Sequence, residues 1–297
     1  MGMTIALPSG KSLQDKTDEL FREARISISR AHRRSCIADI RGLPGISRAI
    51  YCRPSEIPRL VADENVEIGI TGMDCVHEHG SRDTPFRIFE QLEYSRSTGG
   101  VTRCVIFCKE GHSAKSISDM GARPLIATEY PMETRERLSR AGVSDAELVE
   151  CKGSVESLVV LGRYPYGVAL VETGDTLRAN ELKIIAEIFT SSTVIIGRSH
   201  PYESGQEEAI SFLGKLLRGT LEARGKTYLL MNAPTASVEA IKKVLPSLKS
   251  PTVQTLADPD YVAIAAVVPN TDVNSLMLTL TREGASGFVT LPPTTVM

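Results

Sequence analysis

The chain has 297 residues, enough for two or three domains, and its formal net charge of -2 argues against a broad basic surface for nucleic acid. No apolar run is long enough to span a bilayer, and the N-terminal residues lack the basic start and long apolar core of a secretory signal. Six cysteines without a CxxC pair favour reduced thiols over a disulfide framework. We therefore expect a cytoplasmic protein that binds neither nucleic acid nor membranes.

The first part of the chain alternates short apolar strands with amphipathic helical patterns, which is typical of a layered α/β fold. The predicted strands are Thr4–Leu7, Val66–Ile70, Val101–Cys108 and Pro124–Ala127. The predicted helices are Leu13–Glu23, Pro54–Asp63, Met132–Ala141 and Ser154–Leu161. The strand Val66–Ile70 ends in a glycine-containing turn, the position at which α/β folds bind ligands.

The pattern changes after Ser199, where one long amphipathic helix is followed by a compact series of elements. The series consists of strand Tyr228–Met231, helix Ser237–Val244, strands Thr252–Ala257 and Tyr261–Val268, helix Thr271–Glu283 and strand Gly287–Leu291. The order βαββαβ predicts a ferredoxin-like domain. By analogy, such a domain at a chain end regulates or oligomerises the protein.

The segment GVALVETGDTLRANEL places a glycine- and hydroxyl-rich turn between a buried strand and a predicted helix, Leu177–Ile188. Gly174 lets the backbone approach a ligand, and the hydroxyls of Thr173 and Thr176 can donate to phosphate oxygens. Such a turn can bind an anion at the start of the helix. The alternative is an ordinary N-cap by Asp175 or Thr176, which the repulsion between a carboxylate and an unmetallated phosphate favours.

Two further groups of residues are interpreted as structural. His77-Glu78-His79 has the wrong spacing for a metal site on one helix face, so we expect the exposed start of a helix. Cys104 and Cys108 fall on one face of a predicted strand, which favours a buried reduced pair over a redox or metal site.

Several motifs in fixed order identify a family. They are IALPSGKSLQDKT, CRPSEIPRLVADENVEIGITGMD, LIATEYP, CKGSVE, VETGDTLRANEL and the tail from SPTVQTLADPDYVAIAAVVP to GFVTLP. Together they resemble ATP phosphoribosyltransferase, the first enzyme of histidine biosynthesis, in its long form. The resemblance implies an α/β fold with a two-lobed core like that of periplasmic binding proteins and a C-terminal ferredoxin-like regulatory domain. The expected boundaries are 1–94 with 181–222 for the first lobe and connector helix, 95–180 for the second lobe, and 223–297 for the regulatory domain.

The resemblance also implies a reaction and its partners. N1 of the adenine of ATP attacks C1 of phosphoribosyl pyrophosphate, and pyrophosphate leaves. The departing charge needs a cation, so Mg²⁺ is the expected cofactor, although no protein metal site is predicted. Histidine is the expected inhibitor, and the expected assembly is a homo-hexamer built from dimers.

Residues that match the family motifs take on the family's roles. The expected catalytic residues are Glu172, Arg53 and Lys11. The expected ligands of phosphoribosyl pyrophosphate are Thr173, Gly174, Asp175, Thr176 and Leu177. The expected nucleotide-binding residues are Gly10, Asp74, Cys75 and Glu156. The expected effector-binding residues are Asn232 and Thr252.

One segment departs from the family pattern. Pro165 and Ala169 replace two aspartates, the second of which points at the ribose hydroxyls in the family. Glu172 and Asp175 could take over that role. Otherwise the chain is a paralogue with an altered acceptor, or a catalytically weak regulatory or ligand-binding subunit.

Overall fold

The computed structural model describes residues 2–32, 34–80, 86–94, 101–246 and 250–297, apart from the side chains of residues 11 and 12. The chain divides into two compact units, one made of Met1–Glu19 with Ile26–Gly214 and the other of Leu20–Arg25 with Lys215–Met297. Among the described residues, no helix has the length and apolar character needed to cross a membrane.

The strands and helices follow one another along both units. In chain order, the strands are β1 (Met3–Pro8), β2 (Ser27–Ser29), β3 (Ile37–Arg41), β4 (Ile46–Cys52), β5 (Ile68–Gly72), β6 (Phe86–Leu92), β7 (Thr102–Lys109), β8 (Leu125–Thr128), β9 (Glu147–Glu150), β10 (Tyr166–Val171), β11 (Leu182–Ser191), β12 (Thr193–Arg198), β13 (Lys226–Pro234), β14 (Thr252–Thr255), β15 (Tyr261–Pro269) and β16 (Ser286–Leu291). The α-helices are α1 (Lys11–Glu23), α2 (Ile57–Ala62), α3 (Met73–His79), α4 (Pro131–Arg140), α5 (Val155–Val160), α6 (Asp175–Ala179), α7 (Gln206–Ala223), α8 (Val238–Val244) and α9 (Val273–Arg282).

The first unit contains two sheets, which confirms the predicted two-lobed α/β core. In the part of the chain that is described, the first sheet has the order β2-β3-β4-β1-β5-β12-β6 and the second has the order β11-β7-β10-β8-β9. Strand β1 runs parallel to β4 and β5, and β8 runs parallel to β9 and β10. The chain passes from the first sheet to the second between β6 and β7, and returns between β11 and β12. Each parallel set brings its carboxyl ends to one sheet edge.

Strand β11 differs from two expectations. The predicted helix Leu177–Ile188 ends after one turn at Ala179, and Leu182–Ser191 pairs with β7 instead. Residues 182–191 therefore belong to the second sheet, and the expected lobe boundary at 180/181 moves to the end of β11. The strand carries two register shifts, which place buried residues roughly every third position rather than every second. The two bulges thus give β11 a spacing of buried residues close to that of a helix.

The second unit confirms the ferredoxin-like prediction. Strands β13 to β16 form a sheet of order β14-β15-β13-β16, and α8 and α9 cover one face of it. Leu229, Met231, Ile264 and Leu280 are central to this apolar core. The compact unit also includes the end of α7 from Lys215, whereas the ferredoxin-like sheet itself begins with β13, after the predicted boundary at 223.

Cysteine burial leads to a direct test of the fold. Iodoacetamide at pH 8 is expected to alkylate the exposed Cys36 first, and the buried Cys104 and Cys108 only after unfolding, as read by peptide mass spectrometry. Burial raises the pKa of both buried thiols, so little reactive thiolate forms. The half-buried Cys52 should react more slowly than Cys36, since burial, then the nearby Glu56, raises its pKa to about 11. Rapid native labelling of Cys104 would contradict this packing.

Candidate active site

Three predicted substrate-binding segments follow parallel strands of the first sheet and meet at its carboxyl edge. Gly10 follows β1, Arg53 follows β4, and Asp74 with Cys75 follows β5. Gly10 has a φ of +102°, a backbone conformation that favours glycine, and a Cβ there would meet no atom within 4 Å. The segment therefore leaves room beside the backbone at this edge. The side chain of Lys11 lies outside the described part of the chain.

Arg53 lies directly after β4, at the same sheet edge. The residue is exposed and precedes a one-turn 3₁₀ helix, Pro54–Glu56. The Thr71 hydroxyl donates a 2.8 Å hydrogen bond to the Pro54 carbonyl, which ties this turn to β5. A guanidinium held here can offer its fork of N–H donors to a phosphate.

Asp74 is the centre of a buried polar cluster. Its side chain is 4% exposed, and its Oδ1 accepts a 2.8 Å hydrogen bond from the Ser191 hydroxyl. Its Oδ2 accepts a 3.1 Å bond from the Tyr130 hydroxyl and a 3.7 Å contact from the Cys75 thiol. Ser191 ends β11 and Tyr130 precedes α4, so both donors reach Asp74 from the second sheet. The cluster therefore joins the two lobes at the base of the cleft.

Glu172 lies on the opposite wall of the same cleft. It follows β10, is half-buried, and lines a cavity together with Pro54, Asp74 and Ser192. The cavity measures about 120 Å³, whereas small-molecule pockets usually begin near 300 Å³. The cavity by itself is therefore smaller than a usual small-molecule pocket.

The loop after Glu172 is held by its own side chains. Gly174 has a φ of +78° and is the N-cap of α6, without a side-chain capping bond. Neither Asp175 nor Thr176 is therefore the N-cap that the alternative interpretation required. The Thr173 hydroxyl donates a 2.5 Å bond to the Asp175 carboxylate, which also pairs with the Arg178 guanidinium. These two donors, Thr173 first, lower the pKa of the Asp175 carboxyl, so it is ionised at neutral pH.

Residue 169, the counterpart of the aspartate that faces the ribose in the family, does not line this cavity. Ala169 is 4% exposed and packs in an apolar cluster with Val105, Phe107 and Val155. Leu170 and Glu172 line the cavity instead, because successive side chains of a strand point to opposite faces. Pro165 lines a separate surface depression of about 520 Å³.

This burial predicts the effect of restoring the family's aspartate. Ala169→Asp is expected to lower the free energy of unfolding by at least about 2 kcal/mol, since it places a carboxylate among apolar side chains. Urea unfolding followed by circular dichroism measures this loss. The same substitution at the exposed Ala122 provides the control and should cost little. An unchanged stability of the Ala169 variant would mean that position 169 reaches solvent.

The remaining predicted residues, Glu156, Asn232 and Thr252, lie on three other elements. Glu156 is in the first turn of α5, after Gly153 and Ser154, which both have positive φ. The Gly153 N–H donates a 2.9 Å bond to Glu129, at the carboxyl end of β8, so this loop also borders the carboxyl edge of the second sheet. In the second unit, Asn232 and Thr252 lie on the sheet face opposite its helices.

Sequence reasoning missed the residues that join the lobes, Tyr130 and Ser191. It also misplaced Glu78, which is 8% exposed at the end of α3 rather than at the exposed start of a helix. The Tyr130-Pro131 pair did indicate the start of α4 in the sequence, because proline is common at the first position of a helix.

Comparisons with known proteins agree with this architecture. The family model of ATP phosphoribosyltransferase matches residues 53–219, and the model of the HisG C-terminal domain matches residues 223–293. An ATP phosphoribosyltransferase of Chlorobium phaeobacteroides is 33% identical over 287 residues, which are 96% of this chain and 94% of that protein. Another, of Methanothermobacter thermautotrophicus, is 30% identical over 293 residues and covers 98% of each chain.

A solved structure shows the same relationship in three dimensions. The ATP phosphoribosyl transferase (HisG:HisZ) complex from Thermotoga maritima contains a chain that is 25% identical, with a TM-score of 0.57. The match covers 96% of that chain and 72% of this one. Together with the two family models, these similarities show that the chain belongs to the ATP phosphoribosyltransferase family of pentosyl-transferring enzymes, in its long form.

Proposed function

We propose that this protein transfers the phosphoribosyl group of phosphoribosyl pyrophosphate to N1 of the adenine of ATP. The bond from ribose C1 to the pyrophosphate oxygen breaks, the C1–N1 bond forms, and pyrophosphate leaves with the electron pair. Family membership supports the reaction class. The observation that carries the assignment to this cleft is the position of Glu172, which lines one cavity with residues of both sheet edges.

On the donor side, the loop from Thr173 to Leu177 would hold the 5-phosphate. Thr176 is exposed and its hydroxyl can donate to a phosphate oxygen, while Leu177 is buried and anchors the loop in the core. Glu172 would face the ribose, where its carboxylate stabilises the positive charge that develops at C1. Arg53 would contact the substrate phosphates from the opposite wall.

On the acceptor side, the nucleotide would lie along the carboxyl edge of the first sheet. Gly10, Asp74 and Cys75 border that edge, and Lys11 follows it in the chain. Glu156 would approach from the second lobe. Alignment of N1 with C1 is the main requirement of such a transfer, since orientation alone can remove much of the barrier.

The residues present fit Mg²⁺ that enters with its substrate. Among the described residues, no three metal-binding side chains are grouped together. In phosphate chemistry, Mg²⁺ is commonly held by one or two carboxylates and by substrate oxygens. Glu172 and the ionised Asp175 would supply those carboxylates, and the bound ion would neutralise charge on the leaving pyrophosphate.

Genetic complementation tests the proposed function. The gene is expressed in a bacterium that lacks its own ATP phosphoribosyltransferase, and growth is followed without histidine. Growth that depends on an intact Glu172 is expected. Failure to grow, with the protein present in the soluble fraction, would favour a chain with an altered acceptor or a regulatory subunit.

We further propose that histidine inhibits the enzyme at the C-terminal domain and that the assembly is a homo-hexamer built from dimers. Asn232 pairs with Ala263 of β15, and Thr252 of β14 pairs with Ala265 of the same strand, so both predicted residues lie on one sheet face with β15 between them. One ligand that contacts both would therefore lie across β15. The related Thermotoga maritima structure is a complex of two different proteins, HisG and HisZ. Sedimentation of the purified chain, with and without histidine, distinguishes a homo-hexamer from a dimer that needs a partner.

Replacement of Asn232 tests the effector site. Asn232→Ala is expected to raise the histidine concentration for half-inhibition at least about tenfold, because it removes one hydrogen-bonding side chain from the exposed sheet face. Each rate is compared with the uninhibited rate of the same variant. Asn274→Ala, at an exposed position on α9, serves as the control. Equal inhibition of the two variants would exclude Asn232 from the effector site.

A further inference from the structure

The N-terminus of α4 is capped by a side chain from the other lobe. Tyr130, at the N-cap position, makes no side-chain capping bond, and Pro131 has no N–H to satisfy. The next two N–H groups donate to the carboxylate of Glu78, Met132 to Oε1 at 2.9 Å and Glu133 to Oε2 at 3.1 Å. Glu78 is in α3, which follows the first sheet, whereas α4 follows β8 of the second. One carboxylate therefore closes a helix end across the cleft.

Two other residues of α3 contact the second lobe beside Glu78. The His77 ring stacks on Phe189 of β11, with centroids 5.4 Å apart, and its Nδ1 lies 3.7 Å from Glu133. Asp74 accepts the Tyr130 hydroxyl, as described above. Positions 74, 77 and 78 have the spacing i, i+3, i+4, so they share one face of α3. This face, defined by Asp74, His77 and Glu78, is called the latch face below.

Glu78 is a buried carboxylate with two defined hydrogen-bond donors, unlike a carboxylate on the protein surface. It is 8% exposed, and burial raises the pKa of its carboxyl, while the two N–H bonds partly offset that effect. A buried carboxylate that accepts two backbone N–H groups is costly to replace, because its loss leaves both donors unsatisfied. The partial positive charge of the α4 N-terminus adds to the attraction.

We propose that Glu78 is a positioning residue: by capping α4 across the cleft, it holds Tyr130 against Asp74 and fixes the lobe spacing at which the two substrates align. The inference rests on the proposed function for its kinetic consequence, since a transfer between two bound substrates is sensitive to shifts of about 1 Å. The lobe coupling itself does not depend on which reaction occurs.

Hydrogen exchange tests the coupling without any assay of activity. In Glu78→Gln, one amide oxygen replaces two carboxylate oxygens, so exchange of the first-turn amides of α4 should become at least tenfold faster by mass spectrometry. Exchange should also rise in residues 73–79 and 184–190, which the latch face holds together. Glu67→Gln is the matched control, since the Glu67 carboxylate accepts the Thr4 N–H at 2.8 Å within the first lobe. Faster exchange confined to α4 would show that Glu78 is only a local helix cap, and it would overturn the proposal. Unchanged exchange in all three segments would overturn it as well.

Kinetics test the positioning role. At a temperature well below the melting temperature of each variant, Glu78→Gln should lower kcat about tenfold and leave both KM values within threefold. Glu67→Gln should match the unmodified protein. An unchanged kcat with faster exchange in both lobes would show that the latch face couples the lobes without aligning the substrates, and it would overturn the positioning role of Glu78. If the unmodified protein has no turnover, the proposed function fails, whereas the exchange measurement still decides the coupling.

The same contact can be tested from the side of Tyr130. Tyr130→Phe removes the hydroxyl that donates to Asp74 but keeps the ring that packs edge-on against Phe189, with centroids 5.8 Å apart. Its effect on kcat should largely disappear in the Glu78→Gln background, because contacts in one network are not additive. Tyr166→Phe, which loses a 3.3 Å bond to Met120 within the second lobe, is the control. Additive effects of the two variants would contradict a shared latch.

Discussion

Glu172→Gln is expected to lower kcat on the order of 100-fold, while both KM values change less than about fivefold. The substitution keeps the size of the side chain and one oxygen, but it removes the negative charge that faces the ribose in the proposed complex. That charge matters most when C1 becomes positive, so the loss falls on the transition state rather than on substrate binding. Steady-state kinetics with each substrate varied in turn measure the separation of kcat from KM.

A second carboxylate on the same sheet provides the control for this variant. Glu147 is exposed on β9 and lies outside the cavity lining, so Glu147→Gln should keep kcat within twofold. A Glu172→Gln variant with raised KM and normal kcat would contradict the proposed role, since it would show that Glu172 only binds substrate.

Gly174→Ala is expected to raise the KM for phosphoribosyl pyrophosphate about tenfold. The φ of +78° costs an alanine about 1–2 kcal/mol. A Cβ at this position would lie 3.5 Å from the Arg178 guanidinium, an ordinary contact, so the cost is conformational rather than steric. The loop can relieve this strain by rotating out of the phosphate-binding conformation, and each 1.4 kcal/mol lost from binding is a factor of ten.

The chain offers a glycine with matching geometry as the control. Gly162 has a φ of +76°, and its Cβ would lie 3.6 Å from the Lys109 Nζ, yet it is outside the cleft lining. Gly162→Ala should lose similar stability and keep the KM for phosphoribosyl pyrophosphate within twofold. Equal changes of KM in both variants would indicate a general loss of folding rather than a defect of the loop.

Local sequence patterns predicted several elements that have one buried face and regular geometry. The six elements of the ferredoxin-like unit were predicted, because buried residues alternate with less buried ones from Leu229 to Ala233 in β13 and along β15. Strand β11 was predicted as a helix, because its two bulges replace that alternation with a spacing near three. Those bulges are register shifts in the pairing with β7, so they depend on a partner strand that the segment itself does not contain.

In the candidate site, too, contiguous residues could be predicted and contacts between distant segments could not. Glu172 and the loop after it could be identified because their residues are contiguous in the chain. The contacts of Asp74 could not, since Tyr130 and Ser191 reach it from positions 56 and 117 residues away. Ala169 was placed in the cleft by analogy with the family, whereas strand alternation turns it into the core.

A turnover assay is the most direct test of the reaction assigned to the cleft. The purified protein is incubated with ATP, phosphoribosyl pyrophosphate and Mg²⁺, and a pyrophosphatase removes the pyrophosphate formed. Mass spectrometry and absorbance then identify the nucleotide product. The expected result is phosphoribosyl-ATP joined through N1, formed far more slowly by Glu172→Gln. No phosphoribosyl-ATP, with phosphoribosyl pyrophosphate still bound in calorimetry, would contradict the assignment.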